Sequence, residues 1–339
     1  MRIDAYTHFI PAGILQAMDR IGAGQRDIGK RMRGIPCIYD LDARLRMLDE
    51  FDDYAQIIAY SSPPMEDVVG PDEVEGMTRI INDGLAEIVD RHGDRFPGFV
   101  AQVSLANPDG AIREAVRAVT ELGACGVQIY TNVNGRPIDG DEFDAFYGTM
   151  ETLDKPVWIH PARRADFADY KTEEKSLYEI WWTFGWSYET AAMMARLVFS
   201  GTLDRHPKLK PIVHHFGGIV PMLEGRVGPG WDQIGTRTSD ADYKALKDGL
   251  KKRPLDYFKQ NFYPDTAVFS SELSTRCGLG FYPTENILFA TDCPFDPEKG
   301  PGFIRDNKTI FEAIDLPRDV WEAIHYKNLE RITGKTFVK

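Results

Sequence analysis

Four residues able to do chemistry stand at the ends of short apolar runs: His8, His160, His215 and Asp292. Imidazole nitrogen and carboxylate oxygen are the usual ligands of zinc, manganese and iron, and a catalytic metal site leaves one position open for water or substrate. His215 and Asp292 could also carry protons, because imidazole titrates near neutrality and burial pushes a carboxyl toward it. A single histidine at a strand end is more often a hydrogen-bonded structural residue. Several at the same end of successive strands are harder to set aside, provided the fold gathers those ends.

The elements that would gather them are visible as apolar, β-branched runs at 2–6, 56–60, 98–105, 126–130, 156–160, 211–215, 261–265 and 286–291. Most are bounded by Gly, Pro or Asn, as buried strands are. Pro264 makes the seventh run the weakest, since proline cannot donate to a ladder. Helical patterns lie between the runs. Residues 40–51 carry Leu41, Leu45, Leu48 and Phe51 at helical spacing, and 108–122 carry Ile112, Ala115, Ala118 and Val119 with Gly123 as a stop. A third helix is expected at 141–153. Alternating strands and helices predict an α/β protein with a parallel sheet, and eight strands close a (β/α)8 TIM barrel.

Two stretches exceed the minimal repeat and are expected as insertions after strands one and five, at about 12–39 and 163–190. The second is dense in aromatics, including Phe167, Tyr170, Trp181, Trp182 and Trp186. Both follow strand C-terminal ends, the face where barrel enzymes keep their sites. The aromatics either seal the mouth or stack on a planar ring, and Trp181 and Trp182 are taken as substrate contacts. With no internal repeat or linker, residues 1–339 are expected to form a single barrel domain.

A formal net charge of −12 argues against a nucleic-acid partner, which would need a basic stripe. It leaves an acidic substrate open, because local charge can oppose the global sign. The four cysteines are scattered with no CxxC pair, which fits a reducing compartment and no disulfide framework. No window approaches the ~20 apolar residues of a membrane span, and no basic, apolar leader opens the chain. A soluble cytoplasmic protein is expected.

The motifs point further. Ile3-Asp4-Ala5-Tyr6-Thr7-His8-Phe9-Ile10-Pro11, Pro156-Val157-Trp158-Ile159-His160-Pro161, the stretch 185–218 and Thr291-Asp292-Cys293-Pro294-Phe295 resemble the amidohydrolase-2 family, with Asn328 in a similar tail. This is the aminocarboxymuconate-semialdehyde decarboxylase-like group of the amidohydrolase superfamily. The resemblance runs from end to end. It implies one divalent metal ion, zinc first and manganese second, with His8 and His160 as ligands and Asp292 binding or facing the metal. It implies His215 as the catalytic histidine and a homodimer. Strand alternation would send neighbouring His214 to the opposite face, so His214 is expected to be structural. Arg226 lies near a position that can meet a substrate carboxylate, although a helix-surface ion pair is an equal alternative.

One departure stands out. Tyr6 occupies the place of the family's first H-x-H histidine. Three readings stay open: a neutral hydroxyl that bonds substrate or water, a phenolate ligand with its pKa depressed from ~10 by the cation, or weakened metal binding. Cys293 carries no mark of activation and is read as packing. The resemblance implies non-oxidative decarboxylation of an aromatic or dienoic carboxylic acid, with Asp292 and His215 handling protons. The alternative is a hydrolase or hydratase that uses an activated metal-bound water. A non-enzymatic binding protein on a decayed barrel has only Tyr6 in its favour.

Overall fold

The computed structural model describes residues 1–20, 28–239 and 241–338. Strands β1 (Arg2–His8), β2 (Tyr54–Ala59), β3 (Gly98–Gln102), β4 (Val127–Tyr130), β5 (Val157–His160), β6 (Pro211–Val213) and β7 (Tyr263–Pro264) pair in sequence order, each parallel to the next. The eighth expected strand is a bridge and not a full ladder. Thr266 N and Leu288 N bond across to Leu288 O and Pro264 O at 3.0 and 2.9 Å, and on its other side Ala5 N donates to Phe289 O at 2.8 Å. The sheet therefore curls into the expected (β/α)8 barrel, with the closure made by a few backbone bonds and not by a continuous ladder. Pro264 explains the thinness there. It has no N–H to give, and the ladder resumes only at Asp265, whose N–H reaches Val213 O at 3.1 Å.

Period-2 alternation divides the core into two layers. Ile3, Ala5, Ala55, Ile57, Val100, Trp158, Ile212 and Leu288 fill the barrel. Their neighbours Ile58, Val127, Ile129, Val157, Ile159 and Val213 face the helices. Asp4 ties closure to the first strand. Its carboxylate accepts from Thr291 Oγ1 at 2.5 Å, from the Thr291 and Tyr6 amides at 3.2 Å, and from the Tyr54 hydroxyl.

The outer helices start where side chains can satisfy their first amides. Asp40 caps Leu41–Leu48 through Ala43 N at 3.0 Å, and Asn107 caps Pro108–Thr120 through Gly110 N at 3.0 Å. Gly123, with φ of 72°, stands just past that helix, as expected of a C-terminal stop. Of the first insertion, Ala12–Arg20 and Ile28–Met32 are helical, while 21–27 lies outside the described residues. The second insertion is shorter than expected. Residues 185–190 belong to the helix Gly185–Phe199, which buries Met193, Met194, Leu197 and Val198 against the barrel. No helix among the described residues is long and apolar enough to cross a membrane.

Candidate active site

Strand geometry delivers the first groups. Ile3 and Ala5 fill the barrel, but β1 shifts register between Asp4 and Thr7, so that Tyr6 and His8 face inward as well. His160 lies two residues beyond Trp158 on β5. On β6 the inward residue is Ile212, so parity carries His214 inward too. Beyond it the strand breaks off. Residues 215–218 all have positive φ, at 56°, 53°, 71° and 65°. Gly217 and Gly218 take this conformation freely, whereas His215 and Phe216 are held in it by their surroundings. The turn folds the His215 ring back onto that of His214, with centroids 3.6 Å apart. Asp292, at φ of 64°, leaves the eighth segment in the same left-handed way.

The result is a buried cluster. Side-chain ligand atoms of His8, His160 and His214 lie within 4.8 Å of one another, as do those of His214, His215 and Asp292. Asp292 Oδ1 lies 3.1 Å from His8 Nε2 and 3.5 Å from His214 Nε2. All three of these atoms are buried and without a hydrogen-bond partner. The opposite ring nitrogens are spoken for. Nδ1 of His8 faces Tyr60 O at 3.2 Å, that of His160 faces Pro161 O at 2.8 Å, and that of His214 faces Asp265 Oδ2 at 2.6 Å. A carbonyl or carboxylate only accepts, so each Nδ1 carries a proton, and it is the Nε2 atoms that turn toward one another and toward Asp292. Imidazoles oriented from behind by oxygen acceptors, with nitrogens converging on a carboxylate, are the arrangement a divalent cation requires. The donor set fits.

The electrostatics agree. Burial would raise Asp292, but the His214 and His8 imidazoles set against its Oδ1 hold it well below the usual carboxylate range. Burial opposes charge on His214, yet Asp265 and Asp292 outweigh it and lift the imidazole to about 9. Burial, with His214 and His8 beside it, pushes His160 well down. Burial and then His214 hold His215 at about 4. A cation seated at the shared nitrogens would displace the His214 proton, the usual exchange of protons for metal.

Above the cluster opens a cavity of about 640 Å³ with His160 and Asp292 at its floor. Trp181, Trp182, Trp186 and Phe269 form much of its wall, and Lys30, Arg31 and Lys299 supply positive charge among a lining that also holds the carboxylates of Glu179, Asp292 and Asp296. Trp186 meets His160 edge to face at 5.7 Å, and Trp181 meets Trp186 at 5.6 Å. Asp296 also lines the cavity, but its carboxylate is occupied by the amides of Glu298, Gly300 and Gly302 at 2.8, 2.7 and 3.1 Å. A flat anionic molecule suits such a chamber.

A family model described as amidohydrolase matches residues 3–334. The chain belongs to that family. A gamma-resorcylate decarboxylase from Rhizobium radiobacter is 30% identical over 267 residues, covering 75% of this chain and 77% of that protein. One from Rhodococcus jostii is 29% identical over the same length, with the same coverage. A crystal structure of dihydroxybenzoic acid decarboxylase from a Polaromonas species, with bound manganese and the inhibitor 2-nitroresorcinol, superposes with a TM-score of 0.77. It is 25% identical, and the match covers 98% of this chain and 96% of that one.

Against the sequence expectations, the fold brings together His8, His160, His215, Asp292, Tyr6, Trp181 and Trp182. Two expectations need correction. His214 is not turned away: parity from Ile212 sends it inward, and it is His215 that needs a broken strand to arrive. Arg226 is exposed at the start of the π-helical turn Arg226–Gly230 and does not line the cavity. Tyr6 also stands off the cavity wall, buried with its ring 4.9 Å from that of His8 and 4.8 Å from that of His214. Trp186, from within the aromatic run, and Phe269, from outside it, join the expected tryptophans on the cavity wall. Cys293 is buried, its thiol donates to Gly300 O at 3.3 Å, and burial pushes it up to about 12, as packing requires.

Proposed function

We propose that this chain is a metal-dependent, non-oxidative decarboxylase of a small aromatic carboxylic acid. The observation that carries the proposal is the convergence of three Nδ1-anchored histidines and Asp292 at the floor of an aromatic-walled cavity with three cationic side chains in its lining. His8, His160 and Asp292 would hold a divalent cation, which when bound supplies a Lewis acid and template for the substrate carboxylate and a neighbouring oxygen. The nitrogen-rich donor set suits zinc. The tryptophans and Phe269 stack on the ring, while Lys30, Arg31 and Lys299 attract the anion toward the mouth.

The reaction exchanges one proton for carbon dioxide at a single ring carbon. Asp292 lies on the cavity wall and His215 within reach behind it, so the proton passes to the ring carbon through them. Asp292 is ionised and His215 neutral in the resting site, and each takes the proton up before passing it on. Protonation interrupts the aromatic system, the bond to the carboxylate carbon breaks, and its electron pair restores the ring. His215 is suited to the relay because its Nδ1 is committed to Ala267 O, which leaves Nε2 to exchange protons.

Elemental analysis of the purified protein, coupled to a carbon dioxide-release screen over hydroxybenzoates, tests this reading. One equivalent of zinc or manganese and metal-dependent release are expected. Metal-replete protein that releases none across the panel, while cleaving amides or esters, would replace the proposal by the hydrolytic alternative. A homodimer is expected of this chain, and light scattering of the same preparation checks it.

A further inference from the structure

The departure at residue 6 changes how this chain can hold its cation. The orientation of a buried amide chain decides what Tyr6 is. Gln102 Nε2 donates to Val103 O at 2.7 Å, and a carbonyl can only accept, so the Gln102 amide has one orientation. Its Oε1 then faces Gln128 at 2.7 Å, which obliges Gln128 to present its Nε2 there. The same Nε2 lies 3.2 Å from the Tyr130 hydroxyl, which donates onward to Ser61 O at 2.6 Å. Gln128 is left with its Oε1 toward Tyr6, and the Tyr6 hydroxyl donates to it at 2.5 Å. A phenolate in that place would set two acceptors against each other. Tyr6 is a neutral donor whose proton is already committed.

The position that the family fills with a ligand is thereby closed, and another donor stands ready. His214 Nε2 is buried, unpartnered, 3.5 Å from Asp292 Oδ1 and grouped with His8 and His160. Asp265 holds its ring from behind, and the same carboxylate accepts from the amides of His215 and Ala267 at 3.0 and 3.1 Å. That buttress ties the imidazole to the backbone of the next turn. We propose that His214, fixed by Asp265, is a metal ligand of this chain in place of residue 6, giving the set His8, His160, His214 and Asp292. The proposal rests on the metal site of the decarboxylase reading but not on the reaction itself.

Cobalt(II) titrations of the metal-free full-length protein, in competition with a chromophoric chelator and with no substrate present, test it. Tyr6→Phe is expected to bind cobalt within about threefold of wild type with an unchanged visible spectrum. His214→Ala should bind at least ~100-fold more weakly with an altered spectrum, and Asp265→Asn about 10–100-fold more weakly. Circular dichroism and thermal melting of each metal-free variant guard against misfolding, and His214→Gln replaces His214→Ala if the alanine variant does not fold. Tyr6→Phe losing cobalt while the His214 variant keeps it would overturn the proposal. Wild type that binds no cobalt would overturn both this assignment and the metal-dependent reading. Cobalt binding that ignores His214 would overturn this one alone.

Discussion

The two halves of the barrel hold their functional side chains in different ways. His8 and His160 belong to β1 and β5, paired strands of seven and four residues whose ladders, with one register shift in β1 between Asp4 and Thr7, fix the direction of their side chains. His214, His215 and Asp292 stand where the chain leaves β6 and the eighth segment, where strands shrink to three residues or to a bridge. There the backbone enters the left-handed region at His215, Phe216, Phe269, Ser270 and Asp292. Positive φ at a non-glycine residue costs of order 1 kcal/mol and persists only where the surroundings insist. The regular half offers fixed lone pairs from a stiff frame. The irregular half aims proton-handling groups at a point that no straight strand could reach.

That division can be broken by experiment. Asp292→Asn keeps the shape and suits the left-handed backbone, since asparagine tolerates positive φ. It removes the proton carrier and one charge, so decarboxylation should fall by at least ~10³-fold in kcat. His215→Asn likewise preserves the turn but removes the imidazole. Its kcat should fall about 10²-fold, with metal content unchanged and KM altered only a few-fold. If His215→Asn instead empties the site of metal, His215 holds the cation together with its neighbours His214 and Asp292.

The same division sets how much was legible in the sequence. Period-2 runs and capped helices are local signals, so the barrel and His160 could be read directly. Alternation from Ile3 and Ala5, by contrast, does not predict the inward turn of His8, which follows a register shift in β1. The β6 end could not be read as simply. Adjacent histidines look like an in-and-out pair, and the family motif draws attention to His215. Parity counted from Ile212 carries His214 inward, and the four consecutive positive φ angles that follow bring His215 beside it. Of those four, only the Gly217-Gly218 pair announces itself in the sequence. Arg226 failed for a related reason, because nothing in its neighbours signals that the π-helical turn leaves it exposed. The commitment of Tyr6 to Gln128 depends on a relay through strands β3 and β4, which no single segment encodes.

The regular half supplies a control away from the site. Glu66, in the turn after β2, is buried with Ser104 Oγ donating to it at 2.9 Å. Burial pushes its carboxyl up to about 7, only partly offset by that hydrogen bond. The folded state therefore keeps a proton that the unfolded chain, with its carboxyl near 4.5, has lost. Stability from this group is present below about 4.5 and is lost as pH rises to about 7, by about 3 kcal/mol if the shift is complete. Glu66→Gln retains an acceptor for Ser104 and removes the titration. Its stability relative to wild type should rise by about 2–3 kcal/mol between pH 5 and pH 8 in urea denaturation. A difference independent of pH would show that Glu66 is already ionised in the folded protein.

The smallest effect is expected where the frame is stiffest. Trp158 fills the barrel beneath His160, its Nε1 donates to Ala5 O at 3.2 Å, and Gly126 makes room for it. A Cβ at residue 126 would come within 2.8 Å of the Trp158 ring and 2.3 Å of Pro156 O. Trp158→Phe deletes the hydrogen bond and part of the volume, and should cost about 1–2 kcal/mol of stability. The ladder hydrogen bonds of β5 belong to backbone and remain, so His160 should keep its place and kcat should stay within about twofold. If kcat falls tenfold while stability drops by only that amount, the regular strands are not a passive frame. The packing under His160 would then set its geometry as strictly as Asp265 sets that of His214.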